Sequence, residues 1–254
     1  MKIVLSFVIS IGIWVLCGCK KKAHQAPPPI EVSTLNDGLV LYYPFSNNFQ
    51  DIAGNSLANF KNATFTINAQ GKTNSAIELN GADSWVLVMP NNTIKNAPIF
   101  SISLKFFQQT INTSQRLFYW GLDNNNFSNT KAEIYFSSVP NQSNTFFSVT
   151  NPVYCNSTDA VVAGINTETT LNTWHSLTGI YNGSSAKIYI DGVVKDEQVK
   201  NLSGATSCTD NRVIILGSPS TSYYTGFTGK IDELRIYNRV LTDKEILQLS
   251  FFKD

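Results

Sequence analysis

Short segments of alternating apolar and polar residues, rich in β-branched and aromatic side chains, recur along most of this 254-residue chain. A period of two is typical of half-buried β-strands, and turn residues separate the segments. Asp191-Gly192 predicts a hairpin, because both residues accept positive φ between two apolar strands. The predicted strands are 39–45, 85–89, 101–107, 116–120, 132–136, 145–149, 174–181, 186–190, 213–216 and 230–237. They predict an all-β domain of two packed sheets.

A helical period is sustained at one place in the sequence, after Leu241. There Thr242-Asp243-Lys244-Glu245 forms a capping box, in which the Thr242 hydroxyl and the Glu245 carboxylate each satisfy a free backbone donor. A short C-terminal helix to about Ser250 is therefore predicted. The sequence has no internal repeat, and we expect one domain over residues 37–254.

Residues 1–18 resemble a bacterial lipoprotein signal peptide. Lys2 supplies a positive start, residues 3–16 are mostly apolar, and Gly18 precedes Cys19. The resemblance implies cleavage before Cys19 and acylation of its thiol and amine, so that the lipid bilayer is a partner. A transmembrane anchor is the alternative, but the apolar run is shorter than the roughly 20 residues that span a bilayer.

Residues 19–36 predict an extended tether, because three lysines and the Pro27-Pro28-Pro29 run follow Cys19. The chain is then expected at the bacterial cell envelope. Lys20 follows the lipid-bearing cysteine in place of the aspartate associated with inner-membrane retention, which favours the outer membrane.

The four cysteines agree with export. Cys17 would leave with the signal peptide and Cys19 would carry lipid, so Cys155 and Cys208 remain as one possible disulfide. Two free buried thiols are the alternative. No zinc-ligand spacing occurs.

The charge of the domain argues against nucleic acid as a partner. From Val32 onward 15 Lys and Arg stand against 17 Asp and Glu. Nucleic-acid binding requires a basic surface, which a near-neutral domain of this kind does not supply.

Five motifs in order resemble a laminin-G-like, concanavalin A-type jelly-roll domain. They are 38–45 with 51–55, Ala76-Ile77-Glu78-Leu79-Asn80-Gly81, 173–183, Lys187-Ile188-Tyr189-Ile190-Asp191-Gly192 and 226–246. The resemblance implies an antiparallel two-sheet jelly roll. It also implies one structural calcium near Asp51 and Asp232, since members of this kind often bind calcium near these positions. Asp51 capping a turn, and Asp232 pairing with arginine or backbone donors, are the alternatives.

The alternation predicts which aromatic side chains fill the core and which are candidate ligand contacts. Trp85, Trp120 and Trp174 lie in apolar strands and are expected in the core. Tyr223, Tyr224 and Tyr154 lie in loops, where aromatic faces can stack on sugar rings beside Asn and Ser donors. His175 is expected to be a strand residue, because no catalytic partner lies at a suitable spacing. Asp232 alternates with Leu234 and Ile236 and is expected on their inward face.

No residue is predicted to be catalytic. A retaining glycosidase needs two carboxyl groups about 5–5.5 Å apart, and the Glu-x-Asp pattern that places such a pair on one strand face is absent from the sequence. We therefore expect a noncatalytic domain that binds a glycan or an envelope or extracellular protein. A glycan hydrolase or lyase on the same fold, and a structural or adhesive surface protein, remain alternatives.

Overall fold

The computed structural model describes residues 34–54, 56–111, 114–122, 130–139, 142–150, 159–166, 169–202, 212–217 and 225–251. They belong to one compact unit, Thr34–Asp254, which contains every described strand, both described helices and the core. A fragment covering this unit can therefore fold by itself. Cys19, residues 20–33 of the tether and the Cys155 and Cys208 pair lie outside the described residues. Among the residues described, no helix is long and apolar enough to cross a bilayer.

The strands form two sheets of eight. Sheet A contains β1 (Leu39–Tyr43), β3 (Thr64–Thr66), β4 (Ala76–Asn80), β6 (Phe100–Gln108), β11 (Trp174–Tyr181), β12 (Ser185–Ile190), β13 (Val193–Val199) and β16 (Thr228–Tyr237). Sheet B contains β2 (Leu57–Lys61), β5 (Trp85–Met89), β7 (Gln115–Leu122), β8 (Ala132–Val139), β9 (Gln142–Thr150), β10 (Ala160–Ile165), β14 (Arg212–Leu216) and β15 (Thr225–Gly226). The predicted two-sheet antiparallel sandwich is confirmed.

The order of strands in sheet A is β13-β12-β11-β6-β16-β4-β3, with β1 beside the second half of β16. In sheet B the order is β10-β9-β8-β7-β14-β5-β2. All pairs are antiparallel except β15 with β7. The predicted hairpin joins β12 to β13, where Asp191 and Gly192 have φ of 53° and 77°.

The core lies between the sheets and follows the alternation of the strands. In β6, for example, Phe100, Ile102, Leu104 and Phe106 face inward and are fully buried or nearly so. A glycine in one sheet makes room for an aromatic ring of the other. A Cβ on Gly179 would lie 2.6 Å from the Phe147 ring. Neighbouring side chains therefore interdigitate as in a close-packed solid.

Two helices accompany the sheets, α1 (Asn92–Lys95) and α2 (Asp243–Ser250). The capping box of Thr242 and Glu245 at α2 is present as predicted. Ile246 and Leu249 of α2 pack on the outer face of sheet A, against a cluster of buried residues there. The sequence predicts a turn at Asn91-Asn92. One helical turn forms there because the Asn91 side chain accepts a hydrogen bond from the Ile94 amide.

Two of the three tryptophans expected in the core lie elsewhere. Trp120 is fully buried between the sheets, as predicted. Trp174 is half-buried on the outer face of sheet A, where its ring contacts that of Phe107. Trp85 is half-buried on the outer face of sheet B. Side chains alternate between the two faces along a strand. Leu177 of β11 and Val86 of β5 face the core, so Trp174 and Trp85, which are an odd number of positions away, face outward.

Candidate functional site

The outer face of sheet B carries the candidate site. Alternation sets this face, because Ala132, Ile134 and Phe136 of β8 lie in the core while Glu133 and Tyr135 point to the other side. The strand register places one outward residue from each of six strands in a continuous row. The row is Leu87, Ile215, Tyr119, Glu133, Ser148 and Val162.

One half of this face is apolar. Tyr119, Val213 and Ile215 are buried together, and Trp85 and Leu87 pack against them half-buried. The Tyr119 hydroxyl donates to the Leu122 carbonyl at 3.2 Å. Burial raises the pKa of Tyr119 to about 12, so its hydroxyl keeps its proton at physiological pH.

A buried ion pair borders this apolar half. Arg116 Nη2 lies 3.2 Å from Glu133 Oε2, and the Arg116 guanidinium lies 5.1 Å from the centre of the Tyr119 ring. Burial raises the pKa of Glu133, and the neighbouring Arg116 opposes that shift. The arginine therefore keeps a poorly solvated carboxylate in place beside an aromatic surface.

Next to the ion pair, two aromatic rings stack on each other. Tyr135 lies opposite both Arg116 and Phe146 in the sheet register. The Tyr135 and Phe146 ring centres are 5.0 Å apart with the planes at 21°, and both side chains are half-buried. Gly164 of β10 lies beside Phe146, where a Cβ would come within 2.6 Å of the ring. The glycine therefore leaves the space that this ring occupies.

Together these groups place two half-buried aromatic rings beside a largely buried carboxylate and a buried guanidinium. This combination suits a hydroxyl-rich ring, whose apolar face can stack while its hydroxyls donate and accept hydrogen bonds. Within the described strands of sheet B, Glu133 is the only outward-facing carboxylate. The described part of this face therefore lacks the two facing carboxyls of a glycosidase.

The loop tyrosines proposed from the sequence, Tyr154, Tyr223 and Tyr224, lie outside the described residues. Sequence reasoning missed Tyr135 and Phe146. Each lies in a predicted strand, one position out of phase with the core residues, which is the signal that could have found them. Their pairing depends on the register of β8 with β9, which the sequence does not specify.

The carboxylate of Asp51 is surrounded by backbone donors. It is 4% exposed. Its Oδ1 accepts from the amides of Tyr42, Ala53 and Gly54 at 2.9–3.0 Å, and its Oδ2 accepts from the Ser56 amide at 2.9 Å. Asp51 therefore caps a turn, which is the alternative to its being a calcium ligand. Four N–H groups directed at one carboxylate do not fit a calcium ion, because their positive ends repel a cation.

Asp232 lies on the outer face of sheet A, and the expectation that it faces inward is wrong. A bulge interrupts β16 between Asp232 and Arg235, with Glu233 at φ 57°, so the alternation shifts by one residue. Asp232 is then opposite Lys105. Burial and the neighbouring Glu233 raise the pKa of Asp232 to about 8. Among the described residues, no three His, Cys, Asp or Glu side chains are grouped to hold a metal.

His175 lies in β11, as predicted. Its side chain contacts the hairpin between β12 and β13 at Asp191 and the segment before β11 at Thr170. Its Nδ1 is 2.8 Å from Asp191 Oδ2, and its Nε2 is 3.3 Å from the Thr170 carbonyl. Both neighbours are acceptors, so the doubly protonated imidazolium satisfies both contacts. The hydrogen bond with Asp191 raises the pKa of His175, against the opposing effect of burial.

We expect the contact between His175 and Asp191 to stabilise the fold more at acidic pH than at basic pH. A raised pKa means that the folded state favours the protonated ring. The stabilisation is therefore full below the ordinary histidine pKa of about 6.5 and is lost as pH rises through the higher folded value. Urea unfolding of wild type and His175→Gln from pH 5.5 to 8.5 checks this. The difference in stability should shrink as pH rises, and a constant difference would contradict the assignment.

Comparison with known proteins identifies the family of this chain and solved structures with a similar fold. The family model for the concanavalin A-like lectin/glucanases superfamily matches residues 79–247. A search of curated proteins found no match. Among solved structures, the chain is similar to domain 4 of an extracellular arabinanase from Geobacillus stearothermophilus, solved with arabinotriose. The identity is 20% and the TM-score 0.63, over 84% of this chain and 98% of that domain.

Two binding-domain structures of botulinum neurotoxin DC are also similar. One is in complex with SialylT and the other with rat synaptotagmin II. They are 19% and 20% identical over 85% of this chain, each with a TM-score of 0.63. This chain spans about half of their length, 52%. At such identities the likeness concerns the fold.

Proposed function

Because this chain belongs to the concanavalin A-like lectin/glucanase superfamily, we propose that it is a noncatalytic carbohydrate-binding module and that sugar binds on the outer face of sheet B. The observation that carries the proposal is the stacked pair Tyr135 and Phe146 beside the Arg116–Glu133 ion pair. Two of the similar structures were solved with glycans, domain 4 of the arabinanase with arabinotriose and the binding domain of botulinum neurotoxin DC with SialylT.

The ion pair supports binding more than catalysis. Burial raises the pKa of Glu133 although the Arg116 guanidinium, 3.2 Å away, opposes this shift, and a glycosidase would need a second carboxyl group to act with Glu133. Arg116 is buried, so the ion pair chiefly holds β7 and β8 together beside the aromatic pair, and the 16% exposed side chain of Glu133 is the charged group that a sugar hydroxyl can reach. This arrangement, with a single outward carboxylate on the described strands of sheet B, supports the proposal of a noncatalytic role.

We further propose that the module is held at the bacterial cell envelope by a lipid on Cys19, with residues 19–36 as the tether. The lipobox pattern supports this part. Metabolic labelling with a fatty-acid analogue tests it, since the label should be present in wild type and absent in Cys19→Ala.

A glycan-array screen of the fragment 32–254 tests the carbohydrate proposal. We expect selective binding that falls about tenfold or more in the double variant Tyr135→Ala, Phe146→Ala, because aromatic stacking contributes of the order of 1 kcal/mol for each ring. The matched control is Phe107→Ala, Trp174→Ala, which removes a comparable half-buried pair, 5.8 Å apart, from sheet A.

Two results would contradict the assignment. Binding that survives in the sheet B variant, or that is lost in the sheet A control, would place the site elsewhere. If no glycan binds the wild type, the protein-partner alternative takes precedence, and capture from envelope extract becomes the next experiment. Thermal unfolding of each variant shows whether the fold is intact.

A further inference from the structure

A second concave surface lies away from the outer face of sheet B, where the loop after β1 meets edge strand β2. This shallow, open depression has a volume of about 320 Å³, which is at the small end of the range for ligand sites. We call it the edge groove. Its lining residues are Phe49, Gln50, Asp51, Ser56, Leu57 and Ala58.

One wall of the edge groove is aromatic and rigidly supported. The Phe49 ring stacks on Phe60 with centres 4.1 Å apart and planes at 19°, and it contacts Phe65 at 4.9 Å. Phe49 packs against the core from this position. Phe60 is not one of the lining residues, but it adjoins the groove through Phe49 and is 53% exposed. An exposed aromatic face backed by a second ring is a surface on which the apolar side of a sugar ring can stack.

The other wall is polar and has unused hydrogen-bonding groups. The hydroxyl of Ser56 is buried and has no hydrogen-bond partner within the described part of the chain. Gln50 is exposed, and no described residue accepts from or donates to its side-chain amide. Strand β2 ends the sheet B order and pairs with β5 on one side, so its other edge presents backbone donors and acceptors.

The edge groove offers no free charge to a ligand. Asp51 is the only ionisable residue in its described lining, and both carboxylate oxygens already accept from backbone amides. No lysine or arginine is among these lining residues to attract an anion. A ligand of this site should therefore be neutral, with one apolar face and several hydroxyls.

We propose that the edge groove is a second carbohydrate subsite that takes one neutral sugar ring. The sugar ring stacks on the exposed side of Phe60, at the border of the groove, while Phe49 supports Phe60 from its other side. The sugar hydroxyls bond to the Gln50 amide and to the open edge of β2. Rotation of the Ser56 side chain brings its unpartnered hydroxyl to the same ring. This subsite deepens the proposed function and rests on it, because both sites would serve one glycan-binding role.

A nuclear magnetic resonance titration of the labelled fragment 32–254 tests the subsite. The probes are L-arabinose, D-glucose and D-galactose, with D-glucuronate as the charged counterpart. At least one neutral sugar should produce saturable shifts in the Gln50 side-chain amide and in the methyl resonances of Leu57 and Ala58. D-Glucuronate should bind several-fold more weakly.

Variants connect these shifts to the groove. Phe60→Ala should abolish them, and Gln50→Ala, an exposed change, should weaken binding several-fold. Ile67→Ala removes an exposed apolar side chain outside the groove lining and should leave binding unchanged. Because Gln50 is exposed, its variant remains informative even if Phe60→Ala disturbs folding. Groove resonances that no neutral sugar moves, or an affinity that Gln50→Ala leaves unchanged, would overturn the proposal.

The proposal of the edge groove and the proposal of the sheet B site can be disproved independently of each other. Groove shifts that persist in Tyr135→Ala, Phe146→Ala support an independent subsite. Array binding that depends on Tyr135 and Phe146, with silent groove resonances, leaves the proposed function standing and removes the subsite. Silence in both experiments removes both.

Discussion

Replacing Asp51 by alanine should destabilise the domain by about 4 kcal/mol or more, because an unsatisfied buried donor costs about 1–3 kcal/mol and such costs are only partly additive. The four amides that donate to this carboxylate come from Tyr42, Ala53, Gly54 and Ser56. In the alanine variant they would lose their acceptor in a buried place. Urea unfolding at neutral pH measures the effect.

Asp83→Ala is the matched control for Asp51→Ala. Asp83 also accepts hydrogen bonds, from the Asn80 and Asn62 side-chain amides, but it lies in solvent. Water replaces those partners, so its variant should lose much less stability. Equal losses in the two variants would contradict the view that buried backbone donors make Asp51 necessary.

Replacing Gly229 by alanine should cost about 3 kcal/mol or more, the sum of a strained backbone and an overpacked contact. Gly229 has φ of 153°, a value that residues with a Cβ rarely adopt. A Cβ there would lie 2.1 Å from the Phe107 carbonyl oxygen and 2.8 Å from the Phe227 ring. The backbone atom cannot move aside without disturbing the pairing of β16 with β6.

Gly71→Ala separates the two parts of this cost. Gly71 also has positive φ, 83°, but no atom lies within 4 Å of the position that a Cβ would take. Only the backbone strain of about 1–2 kcal/mol should therefore appear. Thermal or urea unfolding of both variants checks the difference. A Gly71→Ala loss as large as that of Gly229→Ala would show that the close contact with Phe107 contributes nothing.

The parts of the fold that depend on local pattern could be predicted from the sequence. All ten predicted strands form, because each carries its own alternation. The capping residues of α2, Thr242 and Glu245, are only three positions apart. The pattern does not predict strands β2, β3, β10 and the two-residue strand β15. They are short or contain small and polar residues such as Asn59, Thr64 and Gly164, so alternation alone identifies them poorly.

Features that depend on register could not be predicted. The bulge at Glu233 reverses the direction of Asp232, and no local signal in an otherwise regular strand indicates it. The candidate site has the same origin. Glu133 and Arg116 are distant in sequence from Phe146, and only the pairing of β7, β8 and β9 brings their side chains together.

The most direct test of the account locates the bound sugar on the domain. The measurement is methyl nuclear magnetic resonance of the fragment 32–254 with the oligosaccharide that binds best on the array. The account predicts shifts at Leu87, Val213 and Ile215 on sheet B, with Leu241 and Ile246, which belong to the cluster on the outer face of sheet A, unchanged. Shifts confined to Leu241 and Ile246, or no shift in the sheet B methyls at saturation, would contradict it.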